Sequence, residues 1–178
     1  MTALDRQANL LGALALVITD QAAEAVAATA GQSASAAAAL SALHHFLDHP
    51  TLDQLHKVLG LTPSGAVRLV DRLADAGLVT RGTGEDGRSR SVVLTDAGKR
   101  VAAQITAARA TLLSGALAEL SPAERETLHS LMSRIMASLV RSKEGGAWIC
   151  RLCDLDACGR PSGHCPAANS AAAKYATR

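Results

Sequence analysis

The sequence predicts a mainly α fold with a small β-wing, and three observations carry that prediction. Hydrophobic residues make up 48% of the 178 residues but aromatics only 2%. The core must therefore be built from Ala, Leu and Val, whose small side chains let helix axes approach closely. Between residues 52 and 76 two short helical periods are separated by a glycine, the layout of a helix-turn-helix. After Gly77 the apolar period changes from helical to alternating in two short runs that flank a loop rich in glycine and charge. That pattern is a β-ribbon.

Taken in order, residues 4–30 form one long helix, with Leu4, Leu11, Leu14, Ile18 and Val26 among many alanines and Gly31 closing the run. Its apolar residues are too many for one face, which places it in a bundle or a dimer interface. Ser33 and Ser35 can start a second helix running through Leu40, Leu43 and Phe46 to His49 and Pro50. Thr51 with Gln54 three residues later is a capping box, and Leu52, Leu55, Val58 and Leu59 then repeat at helical spacing until Gly60. Thr62 caps the next helix and Pro63 takes its first position; this helix runs to Ala76 and stops at Gly77. Residues 78–81 and 91–94 are the two strands. Thr95 caps a long helix through about Leu117, and Ser121, Pro122 and Glu124 open a last one to about Ser142. Gly145 and Gly146 break the chain before a cysteine-bearing segment, and the alanine-rich tail after Ala167 is either helical or disordered. The expected organisation is an N-terminal dimerisation helix over 1–34, a winged helix-turn-helix over 35–100, C-terminal dimerisation helices over 101–145, and a four-cysteine segment with its tail over 146–178.

Net charge is only +2, so its distribution says more than its sum. Residues 1–60 carry two basic and five acidic groups, whereas residues 61–109 carry eight basic and five acidic. Local basicity in the middle third is what an element entering a DNA groove needs. The longest early apolar run, residues 10–18, is too short to span a bilayer, and no cleavage site follows it with signal-peptide spacing. A cytoplasmic protein without a membrane partner is expected.

In the helix from Pro63, residues Ala66, Leu69, Val70 and Leu73 form an apolar stripe, and Ser64, Arg68, Asp71, Arg72 and Asp75 the opposite one. Thr62, Ser64 and Gly65 lie at its first turn, where small residues let the helix N-terminus approach a phosphate or base edge. Arg68, one turn deeper, is placed to reach guanine O6 and N7 in the major groove, with Arg72 beyond it. In the wing, Arg88 and Arg90 suit a narrow minor groove, because guanidinium is planar, permanently charged and weakly hydrated. Asp86, two residues before Arg88, is placed to orient it in an ion pair. A solvated helix face and an ordinary charged hairpin tip are the plainer alternatives, and the order of the elements weighs against them. No Ser, Cys or carboxylate is spaced with His44, His45, His49 or His56 for catalysis, so an enzyme is not expected.

These residues bring a resemblance into view. Leu52 to Leu55, Thr62 to Leu73, Ala76 to Val79, the wing run of Asp86, Gly87, Arg88, Ser89 and Arg90, and then Leu94, Thr95, Asp96, Ala97 and Gly98 follow one another in the order found in the MarR (multiple-antibiotic-resistance regulator) family of winged-helix repressors. The resemblance covers about residues 4–142. It implies a transcriptional regulator, in the first instance a repressor, acting as a two-fold homodimer on double-stranded DNA. Its pseudo-palindromic operator would have half-sites about one helical turn apart. The family places an Asp-x-Arg in the wing, here Asp86 and Arg88. Many members sense aromatic ligands between the dimerisation helices and the winged helix. This chain has almost no aromatic side chains to line such a pocket, so an aromatic effector is not expected.

The remaining signal lies outside that resemblance. All four cysteines fall within sixteen residues, at Cys150, Cys153, Cys158 and Cys165. In a reducing compartment, clustered cysteines are more often metal ligands than a disulfide framework. Cys150-x-x-Cys153 has the bite of a metal-binding turn, and Gly159 and Gly163 permit turns that bring Cys158 and Cys165 to the same centre. Pro166 follows the last cysteine, as in many iron–sulfur runs. His164 is a substitute ligand, though adjacent to Cys165. An iron–sulfur cluster, which would make a sensor, and a structural zinc remain the two alternatives, with electron transfer or protein interaction behind them. In the sensor case the signal is expected to pass to the neighbouring dimerisation helix that ends near Ser142.

Overall fold

The computed structural model describes residues 2–83, 90–140 and 148–175. Helix α1 (Ala3–Ala30) starts at a capping box of Thr2 and Asp5 and ends at left-handed Gly31, φ 62°. It is followed by α2 (Ala34–His45), α3 (Leu52–Leu59), α4 (Pro63–Asp75), β1 (Val79–Thr83), β2 (Arg90–Leu94), α5 (Asp96–Leu117) and α6 (Pro122–Leu139). The cysteine segment then forms a 3-10 turn at Cys150–Leu152 and a short helix α7 (Pro166–Tyr175). The fold is thus mainly α with one two-stranded antiparallel wing.

Helix α2 ends at His45, short of the predicted His49 and Pro50. The N–H groups of Phe46 and Leu47 both donate to the Ala42 carbonyl, and His49 takes a positive φ of 45°. The chain must leave the helix there because Pro50 is needed elsewhere: Val92 of β2 donates to the Pro50 carbonyl at 3.0 Å, and Thr51 bridges Ser91. The wing is thereby fastened to the start of α3. Its strands pair Val79 with Leu94 through Thr83 with Arg90, reaching further into the loop than the alternation of side chains indicated.

The core collects Leu40, Leu55, Leu69, Val70, Val79, Val92 and Ile105 around the alanines of α2. The junction between β2 and α5 is the tightest point. Thr95 Oγ1 donates to the Gly77 carbonyl at 2.7 Å, and its N–H donates to the Leu78 carbonyl. Gly98 lies so close that a Cβ there would meet the Leu78 carbonyl oxygen at 2.0 Å. Since both partners are backbone, nothing can give way cheaply.

Two helices leave apolar faces uncovered. In α1, Leu4, Leu10, Leu11, Leu14, Leu16 and Val17 are exposed, Leu4 by 71%. In α6 no residue is buried, and Leu131, Met132, Ile135 and Leu139 line one side. The apolar run at 10–18 belongs to a longer apolar helix than the run alone indicated. By length and composition α1 is sufficient to cross a bilayer, with a mean hydropathy of 1.5 over its best window. Its C-terminal half instead buries Ala22 and Val26, and the helix packs on α5 and α2.

The cysteine segment docks in two places. Its 3-10 turn packs on α2, and α7 packs on α6, where Lys174 Nζ donates to the Ala137 carbonyl at 2.6 Å and lies 3.3 Å from that of Val140. Val140, Cys165, Ala167 and Ala171 form a second small core there. The segment therefore touches α2, within the predicted winged helix-turn-helix, as well as the last helix. The tail after Ala167 is helical.

Gly98→Ala is expected to destabilise the protein by about 3 kcal/mol, seen as a lower urea midpoint with unchanged slope. A midpoint within error of wild type would mean that the β2–α5 junction is looser than described.

Candidate nucleic-acid interface and cysteine segment

The helix-turn-helix is made by local rules. Gly60 closes α3 in the left-handed region at φ 66°, a conformation open to glycine at little cost. Thr62 then caps α4, its Oγ1 accepting from the Gly65 N–H at 3.1 Å and lying 3.4 Å from Ser64 Oγ. A Cβ at Gly65 would come within 3.0 Å of that hydroxyl, so the glycine makes room for the cap as well as for any ligand at the helix start. Ala66, Leu69, Val70 and Leu73 are buried. Thr62, Ser64, Arg68 and Arg72 are exposed and Gly65 is half-buried, as the periodicity of the sequence requires.

Of the predicted wing residues, Asp86 and Arg88 lie outside the described residues. Arg90 is described only as the first residue of β2, paired with Thr83. Sequence reasoning missed the ion pair of Arg81 on β1 with Asp71 on α4. It neutralises the carboxylate that stands among the predicted contact residues and ties the strand to the helix. Among the described residues, neither Arg68 nor Arg72 has an ion pair or side-chain hydrogen bond, so both guanidinium groups remain available to an anion.

The four cysteines are neighbours. Cys150 and Cys165 are buried, while Cys153 and Cys158 are half-buried. Cys150 shares hydrogen bonds with Cys153 and Cys165, and Cys158 with Cys165. The expected glycine turns are present, Gly159 at φ 63° and Gly163 at φ 75°. An Asp154 carboxylate accepting from the N–H groups of Asp156 and Ala157 holds the loop between. Hydrogen bonding from Cys153, reinforced by the Arg160 charge, pulls the Cys150 thiol down to about 6. Cys153 moves the other way, because its S–H donates to the Cys150 sulfur and so holds its proton, and burial disfavours a second charge. Burial, the largest influence on Cys158, raises that thiol too.

Three arginines surround these sulfurs. Arg160 lies beside Cys150, and its Nη1 is buried without a hydrogen-bond partner. Arg109 of α5 and Arg151 both lie within electrostatic reach of Cys153, and burial lowers the pKa of each. Among the described residues, no group of three or more His, Cys, Asp or Glu side chains is arranged to hold a metal ion. The residue types alone suit a thiophilic centre, since the four thiols contact one another in pairs and a buried Arg160 N–H has no acceptor, but they do not form a ready ligand set.

A family profile described as MarR family matches residues 30–89. That stretch of the chain is similar to the MarR family. Solved structures agree in fold: a MarR family protein from Bacillus stearothermophilus superposes with a TM-score of 0.70 at 22% identity, over 79% of this chain and 99% of that one. A probable transcriptional regulator from Pseudomonas aeruginosa is 28% identical, with a TM-score of 0.54 over 70% of this chain and 95% of its own. A mutant of MepR from S. aureus, solved bound to an oligodeoxyribonucleotide, gives a TM-score of 0.56 at 18% identity over 75% and 97%. A search of curated proteins finds no match to the sequence.

The MarR-family match runs from the end of α1 to the wing and stops well before the cysteines. A cavity of about 410 Å³ lies where the two parts meet, bounded by Ile18, Ala22, Val26, Ala38, Arg109 and Leu152 among others. Among the described residues, no aromatic side chain lines it.

The Cys150 shift has a consequence for stability. A native thiol ionising near 6 is favoured over the unfolded thiol in its charged form, so its contribution is present at high pH and is lost as pH falls through 6. Reduced, metal-free protein should therefore gain stability as pH rises from about 6 towards 9, and Cys150→Ser should flatten that rise. Parallel profiles for the two proteins in urea titrations would contradict it.

Proposed function

We propose that this chain is a transcriptional regulator, not an enzyme, which binds double-stranded DNA as a homodimer in the cytoplasm and acts as a repressor. The observation that carries this reading is the exposed Ser64, Arg68 and Arg72 stripe on a capped helix whose other side is sealed into the core, with the one carboxylate in its middle neutralised by Arg81. The wing, with Arg88 and Arg90 and with Asp86 orienting, extends the contact into the neighbouring minor groove. The uncovered faces of α1 and α6 supply the dimer interface, which would explain why so apolar a helix as α1 is left exposed in a single chain. That use of α1 competes with membrane insertion, and its packing on α5 and α2 favours the dimer.

Cys150, Cys153, Cys158 and Cys165 would hold an iron–sulfur cluster that tunes DNA binding. Such a centre supplies one-electron chemistry and sensitivity to oxidants, and Arg160, Arg109 and Arg151 would offset its negative charge. A structural zinc is the second reading. It is supported by the way the segment clasps α2 at one end and α6 at the other, which a simple cross-link would stabilise.

Arg68→Ala should weaken binding to a duplex selected from a random library by roughly 10- to 100-fold, corresponding to about 1–3 kcal/mol, and relax the sequence preference at one position. Equal affinity and unchanged preference would remove α4 as the reading element. For the cysteine site, protein purified without oxygen is assayed for metal and acid-labile sulfide. Iron with matching sulfide supports the cluster; one zinc per chain without sulfide supports the clasp, and neither metal would discard both.

A further inference from the structure

Trp148, the single tryptophan of the chain, lies against the turn of the helix-turn-helix. Gly60 has no side chain, and a Cβ built there would come within 2.9 Å of Trp148 Nε1 and 3.3 Å of Cδ1. The edge of the indole thus occupies the space over the α3–α4 turn that any other residue would fill. We infer that Trp148 is the positioning residue through which the four-cysteine segment acts on the helix-turn-helix. The inference rests on reading that segment as the sensing element.

The indole is held firmly from the cysteine side. The Arg151 guanidinium stacks over its ring at 4.3 Å from the centroid, and Arg151 Nη1 donates to the Trp148 carbonyl at 2.8 Å. Arg151 sits inside the 3-10 turn, which is closed by the Cys153 N–H donating to the Cys150 carbonyl at 2.8 Å. Leu152 packs on the main core. Arg151 therefore stands in a turn whose two ends are cysteines, and it holds the indole of Trp148, two residues before that turn. A change in bonding at Cys150 or Cys153 must re-form that turn, and the turn carries the indole with it.

The receiving end is equally constrained. Gly60 is in the left-handed region and its N–H donates to carbonyls at His56 and Lys57, while Leu61 N–H donates to the His56 carbonyl at 3.0 Å. Thr62, the cap of α4, follows two residues later. Pressure on this turn alters the angle at which α4 leaves α3, and with it the pose of Ser64 and Arg68. Its contact on the helix-turn-helix side is with Gly60, so Trp148 acts through the turn.

The test is a double-mutant cycle on the full chain, read by amide hydrogen exchange over residues 57–66. Cys150→Ser should speed exchange there several-fold and shift the emission of Trp148. In a Trp148→Ala background the same cysteine substitution should add nothing further. Trp148→Phe, which keeps a ring over Gly60, should restore the response. An equal effect of Cys150→Ser with and without Trp148 would overturn the inference, as would an unchanged turn and unchanged emission in the single variant. Should Trp148→Ala unfold the chain, the Phe variant and the emission shift decide alone. A parallel cobalt(II) titration, followed by thiolate-to-metal absorbance, reports separately on the cysteines as ligands. Cobalt binding with a failed cycle removes Trp148 and keeps the four-cysteine site; a successful cycle without cobalt binding does the reverse.

Discussion

The main core of the molecule is organised around the α2 strut. Ala36, Ala37, Ala38, Ala39 and Ala42 are buried on it together with Leu40 and Ser41, and α1, α3, α4, α5, β2 and the 3-10 turn all pack against it. An alanine helix loses no side-chain entropy on burial and presents only methyl groups, so its neighbours can approach the backbone from every side. The reach of α2 is limited, and its early end matters as much as its surface: leaving the helix at His45 frees Pro50 to pair with the wing. His45 Nε2, 2.9 Å from Thr106 Oγ1, ties that end to α5. Because interiors are close-packed and transmit displacement, a strut shared by the reading helices and the cysteine turn leaves neither able to move far without the other.

Much of this was legible in the sequence because the rules that decide it are local. Thr51 with Gln54, Thr62 with Pro63, and Ser121 with Glu124 each satisfy backbone donors at a helix start within four residues, and left-handed Gly31, Gly60 and Gly77 end elements where expected. The exposed polar stripe of α4 followed from the same helical period. What escaped is long-range. Nothing in the spacing of Asp71 and Arg81 announces an ion pair, since no helix or strand period links them. The apolar residues Leu43 and Phe46 continue the period of α2 although the backbone leaves the helix between them, because a pairing with β2 outweighs one further turn. The cysteine spacings announced a turn, but not that the turn would rest on α2 or that an indole would settle over Gly60.

The arginines explain why a net charge of +2 is a poor guide to what the chain does. Among the described residues Arg68 and Arg72 face outward without an ion pair, Arg81 is spent on Asp71, Arg151 stacks on Trp148 within electrostatic reach of Cys153, and Arg109 and Arg160 lie near the sulfurs. A partly buried guanidinium is costly unless a negative group accompanies it, and the groups supplied in this neighbourhood are the cysteine sulfurs. With the thiols protonated, Arg160 keeps a buried N–H unsatisfied; with negative charge on the sulfurs the same contact becomes favourable. On the proposed reading, the segment would dock more firmly on α2 and α6 when its sulfurs are ionised or ligated than when they are neutral. The strength of that docking, and not proximity alone, is what would give the state of the four cysteines a purchase on α4.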